Sequence, residues 1–204
     1  MTKKANIRQK PVASRLPGRI TRHLSVERVI IGGSLLATLL IMSVVALNSY
    51  LNRAIDIEGV ERFVVIQQHS ELPIDYSQTP PAGGPHYPVW QNCGVYQQPV
   101  RNELSVHSLE HGAVWITYDL TLSASDVDTL RNLTQQGSHR LLSPYSGLSS
   151  PIVATAWGYQ LKLDRADDPR LIQFLRQYEQ GRTTPELGAL CSGGESRTLA
   201  ELPN

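Results

Sequence analysis

Three kinds of hydrophobic run are spaced along this chain. The first, Val29 to Leu47, is nineteen residues without a charge (VIIGGSLLATLLIMSVVAL). At about 1.5 Å of helical rise per residue it would reach roughly 28 Å, close to a bilayer core. It is apolar on every side, so it reads as a membrane span rather than one buried face of a soluble helix. It exceeds the usual apolar core of a cleaved signal peptide and no A-x-A site follows it, which favours a retained anchor. The second kind is short, β-branched and aromatic. Arg62–Gln67 (RFVVIQ), Ala113–Tyr118, Arg140–Ser143 and Ile152–Leu163 read as strands, the last as one strand or two broken near Gly158. The third has helical spacing. Val127, Leu130 and Leu133 predict a helix over 125–136 with Ser123 or Ser125 as N-cap. Leu171, Phe174, Leu175 and Tyr178 predict one over 170–180, opened by Asp168-Pro169 and stopped by Gly181.

Strands and helices follow without a βαβ rhythm, so the fold class expected is α+β, with a mainly antiparallel sheet and two or three helices. The domain plan is a basic tail (1–28), a transmembrane helix (29–49), a linker (50–61) and one compact extracytoplasmic domain (62–204). Residues 79–88 hold four prolines and two glycines, which exclude a helix or a central strand. Flanked by Tyr76, Tyr87, Trp90 and Tyr96, they read as a rigid, packed loop. Trp90, Trp115 and Trp157 read as core.

Charge changes the picture at one end. The first 28 residues carry eight basic residues against Glu27, a net charge of +7, while the remainder carries 11 basic and 17 acidic residues, or −6. A basic flank on the amino-terminal side of a span predicts a cytoplasmic N-terminus and a domain outside. The tail lacks aromatic interleaving, so the expected partner is the lipid bilayer and not nucleic acid. Cys93 and Cys191 form no C-x-x-C pair. Outside the cytoplasm an even count predicts a disulfide, with free thiols or metal ligation as alternatives.

Candidate chemistry centres on Val106 to Tyr118 (VHSLEHGAVWITY). A helical turn or tight loop ending at Gly112 is expected before the strand. His107 and His111, four apart, would share a helix face. With His86 from the proline loop and His69 or Glu110 as a fourth donor, they make a candidate metal site for zinc or copper. The competing readings are a structural polar cluster, whose histidines and Glu110 bond backbone groups, and a catalytic site without metal in which Glu110 is the weak candidate. His107-x-x-Glu110-His111 also matches a string of inverted zinc proteases, but Gly112 and a β-branched run follow at once, where such enzymes need a long helix. His23 and His139 read as solvated.

PPAGGPHY, CGVY, VHSLEHGAVWITY and TAWG in this order, over roughly Phe63 to Cys191, resemble a bacterial family named domain of unknown function 3105. The resemblance implies one amino-terminal membrane span and carries no activity. By position, His86, His107, Glu110 and His111 match its motif, and His69 a looser upstream position. The leading expectation is a membrane-anchored domain that binds a transition metal in envelope metal handling or sensing. The alternatives are an accessory subunit of a membrane protein complex, without metal, and a metal-dependent hydrolase; the balance leans away from an enzyme.

Overall fold

The computed structural model describes residues 26–51 and 56–202. Most of the basic tail, including His23, and part of the linker lie outside the described residues. Helix α1 (Val26–Leu51) contains a stretch, Val29–Ser49, of 21 residues with mean hydropathy 2.4, long and apolar enough to cross a membrane. From Val29 to Leu47 its leucines, isoleucines and valines are exposed on all sides, as an anchor or a signal sequence requires.

The remainder folds as an α+β unit. A six-stranded mixed sheet runs β1 (Val60–Arg62), β8 (Tyr159–Leu163), β7 (Ile152–Ala156), β5 (Val114–Tyr118), β6 (Arg140–Pro144), β4 (Gly94–Val95). The pairs β1–β8, β8–β7 and β7–β5 are antiparallel; β5–β6 and β6–β4 are parallel. The β7–β8 hairpin turns at Trp157-Gly158, where Gly158 has φ 77°, as its sequence break predicts. Strand period two splits the central residues between two faces. Val114, Ile116 and Tyr118 join Ile152, Ala154, Leu161 and Leu163 under α3 (Ala124–Gln135) and α4 (Pro169–Tyr178), which contribute Leu130, Leu171, Phe174 and Leu175. Ser123 caps α3 by accepting from the Asp126 amide, and Asp168 caps α4 ahead of Pro169.

The opposite face carries the smaller cluster of Trp115, Leu141, Val100 and Leu109, the last from helix α2 (Asn102–Glu110). The proline loop packs here too. Gln160 of β8 donates to the Pro80 carbonyl at 2.6 Å, Gly158 donates to the Ala82 carbonyl at 2.7 Å, and Ala82 is fully buried. This loop ends in β3 (Pro85–His86), which pairs in parallel with β2 (Gln68–His69) as a separate two-stranded ribbon.

One expected strand is displaced. Arg62–Gln67 does not continue as a strand beyond Arg62. Phe63 makes one last bond to the Gly158 carbonyl, and the chain then leaves the sheet edge with Val64 99% exposed and Ile66 exposed. Its β-branched, aromatic run matches a strand, but no partner continues beside it. Ile57, inside the expected linker, is buried in the core.

Candidate metal centre

Helix α2 is unusual in being buried from Leu104 to Glu110 although four of those residues, Ser105, His107, Ser108 and Glu110, are polar. Burial is tolerated because each hydroxyl finds a carbonyl: Ser105 donates to Arg101, and Ser108 to Gln91 at 2.6 Å. The helix ends at Glu110 in a Schellman motif. The Ala113 amide donates to Ser108, the Gly112 amide to Leu109, and Gly112 adopts φ 90°. A side chain at Gly112 would meet Gln180 Nε2 at 2.6 Å and Thr184 at 2.8 Å, so glycine is required twice over. This reversal brings His107 and Glu110 to one end of a short buried helix and sends the chain straight into β5.

Three imidazoles and one carboxylate converge there. Parallel pairing sets His69 directly beside His86, and both face the end of α2. The His86 Nε2 lies 3.0 Å from Glu110 Oε2; the Nε2 atoms of His69 and His107 each lie 3.8 Å from the same oxygen. Ring centroids are 4.8–5.0 Å apart for the three histidine pairs. One ligand atom from each of the four residues lies within 4.8 Å of every other. Tetrahedral zinc with bonds near 2.0–2.1 Å requires about 3.4 Å between ligand atoms, so a modest contraction closes the set on one ion.

Two rings are held in a defined tautomer. The His86 Nδ1 is 2.8 Å from the Gly84 carbonyl and the His107 Nδ1 is 2.6 Å from the Tyr87 carbonyl. A carbonyl only accepts, so each Nδ1 carries a proton, and Nε2 is the atom that turns inward with a lone pair when the ring holds that single proton. This is how metal-ligating histidines are commonly oriented. Burial, opposed by the bond to Tyr87, pushes the His107 pKa down to about 4, and the neighbouring histidines push the same way, which keeps that lone pair free at neutral pH. The Glu110 carboxylate is also only an acceptor, and its Oε1 is buried with no hydrogen-bond partner among the described residues. Lone pairs facing lone pairs in a buried space repel unless a positive charge sits among them. The residues therefore fit a divalent cation. The donors are three nitrogens and one oxygen, a set suited to zinc or copper(II). Thiolate is excluded because Cys93 and Cys191 are joined in a disulfide, and both methionines precede the domain.

His111 does not join this set. Its Nδ1 is 2.7 Å from the Leu190 carbonyl and its Nε2 is 3.5 Å from Glu186. Its ring still touches that of His107, at 4.6 Å, as four-residue spacing requires. The tail beyond α4, tied to Cys93, draws it to the other side. The two histidines of the H-x-x-E-H string thus have separate partners, and their helix is only nine residues long. His139 is half-buried, with Nε2 2.9 Å from the Ala189 carbonyl, rather than solvated. Two tryptophans expected in the core wall the site, Trp157 while also packing against the smaller cluster. Trp157 meets His86 edge-on at 5.7 Å, and Trp90 lies 5.7 Å from His107 and 4.8 Å from His111. Trp115 is core, donating to Ser143. Gly84 and Tyr87, whose carbonyls fix the tautomers, have no side-chain signal by which sequence reasoning could find them.

A family model described as "Protein of unknown function (DUF3105)" matches residues 67–193. The chain belongs to the DUF3105 family. The matched span runs from the approach to His69 through the disulfide and so contains the whole cluster. No curated protein and no solved structure matches this DUF3105 chain.

Proposed function

We propose that this DUF3105 protein is a single-pass, membrane-anchored domain that holds one zinc or copper(II) ion through His69, His86, His107 and Glu110, outside the cytoplasm. The observation that carries the reading is the inward convergence of acceptor-only atoms: Nε2 of His86 and His107, each with Nδ1 tied to a carbonyl, around a buried carboxylate. Such a set is stable when a cation completes it. The basic amino-terminal flank and the Cys93–Cys191 disulfide both support an oxidising, extracytoplasmic setting. The corresponding role is metal handling at the cell envelope.

Metal titration of the detergent-solubilised full chain tests this. The expected result is one zinc or copper ion per chain, lost in His86→Ala and His107→Ala. His111→Ala, whose ring serves Leu190 and Glu186, should keep full stoichiometry. A wild-type chain that binds no ion, or a His86→Ala chain that binds as well as wild type, overturns the reading.

A further inference from the structure

The four ligands are not equivalent, and the asymmetry says how an ion would be used. His86 is fully buried on a loop pinned to the sheet, with its ring fixed by the Gly84 carbonyl. His107 and Glu110 sit on a buried helix, and the His107 ring is fixed by Tyr87. His69 differs in each respect. Its side chain is 53% exposed, and among the described residues its ring makes no hydrogen bond. It rides on a strand of two residues, held by pairing to β3 and by the Ser70 amide bonding the His86 carbonyl. An exposed ring of this kind changes rotamer in picoseconds to nanoseconds when it is not coordinated.

We infer that the ion is exchangeable cargo, taken up and released through His69, while His86, His107 and Glu110 form its fixed seat. The inference rests on the metal-binding reading above. Structural zinc sites are enclosed by four protein ligands, whereas a position open to solvent lets an outside molecule reach the ion; a half-exposed fourth ligand gives an incoming donor that same access. Here that position belongs to His69. Exchange needs no redox step: the His69 Nε2–metal bond breaks as a bond from an incoming donor forms, and the ion leaves with that donor. The fold has anchors apart from the ion. Leu109 anchors α2 on Trp115 and Leu141, the larger core lies on the other sheet face, and the disulfide holds the tail.

Copper(II) gives a direct readout, because Trp90 and Trp157 lie within 6 Å of ligand rings and a paramagnetic ion there quenches their fluorescence. The full chain in detergent micelles is loaded with one equivalent of copper(II) and mixed in a stopped-flow instrument with rising concentrations of a chelator such as EDTA. Wild-type release should accelerate with chelator concentration, the mark of an incoming ligand. His69→Ala should still bind one ion but release it at least 10-fold faster, and added imidazole should slow that release again. His86→Ala should hold no stoichiometric ion. If His69→Ala releases at the wild-type rate, or loses stoichiometric binding as His86→Ala does, the exchange route is wrong although the site stands. If wild type itself takes up no ion, the metal-binding reading fails and the route falls with it.

Discussion

Replacing Glu110 with glutamine should change stability in opposite directions with and without metal. In the metal-free domain the Gly84 carbonyl holds a proton on His86 Nδ1. The Nε2 of His86 then faces Glu110 Oε2 at 3.0 Å with a lone pair on both atoms, while Oε1 is buried without a partner. A glutamine amide turns this contact into a donated hydrogen bond and removes the buried charge. A hydrogen bond made is worth about 1 kcal/mol and leaving the buried His86 Nε2 unsatisfied costs about 1–3 kcal/mol, so the variant should gain about 2 kcal/mol, its amide oxygen taking over the unpartnered place of Oε1. For a domain of this size, Ala54–Asn204, each kcal/mol moves Tm by about 2–4 °C, which predicts a rise of roughly 4–8 °C in EDTA. With zinc at 100 times its dissociation constant, wild type should gain about 2.7 kcal/mol by mass action and the variant much less. Differential scanning calorimetry of both proteins in EDTA and in zinc measures all four values. A structural imidazolium–carboxylate pair predicts the reverse: Glu110→Gln in EDTA would lose about 3–5 kcal/mol, the cost of breaking a buried ion pair. That outcome would refute the argument for a cation.

Acid should destabilise the metal-free domain through His107. Its folded pKa, pushed down to about 4, lies below the ordinary value of about 6.5, so the unfolded chain binds the extra proton. Stability should fall as pH drops from about 6.5 towards 4, by on the order of 3 kcal/mol from this group, and urea unfolding of wild type against His107→Gln should show a shallower slope in the variant. Removing the disulfide with Cys93→Ser and Cys191→Ser opens a loop of 98 residues and should cost about 4–5 kcal/mol in the chain-entropy model, lowering Tm by roughly 9–18 °C. Gly112→Ala should cost about 1–3 kcal/mol, because φ is 90° there and the new methyl meets Gln180 and Thr184. Calorimetry should show that loss, and metal titration weaker binding, since Glu110 stands two residues before the turn.

Much of the fold was legible because local chemistry agreed with the final packing. The β-branched run before Tyr118, the break at Gly158 and the caps at Ser123 and Asp168-Pro169 each act within a few residues. Arg62–Gln67 misled because a run of β-branched and aromatic residues fits a strand, while the deciding fact is that the sheet offers Phe63 its last partner. The site was legible as a neighbourhood rather than as a ligand set. Helical spacing correctly brings the His107 and His111 rings into contact. Which ring faces the cluster depends on Leu190 and Glu186, more than 70 residues downstream. His69 has the opposite history: it lies 38 residues before His107 and reaches the site only because its two-residue strand pairs with His86. No periodicity encodes a pairing that short. Trp90 and Trp157 sit in aromatic surroundings like core residues, and only the third dimension shows that part of those surroundings is histidine.

X-ray absorption at the zinc or copper edge, on the full chain loaded with one equivalent of metal, reads the ligand set itself. Binding through His69, His86, His107 and Glu110 gives a coordination shell of three imidazole nitrogens and one oxygen, with zinc–nitrogen bonds near 2.0–2.1 Å, and one imidazole fewer in His69→Ala. A shell of oxygens alone, or an imidazole count unchanged by His69→Ala and His86→Ala, would contradict it.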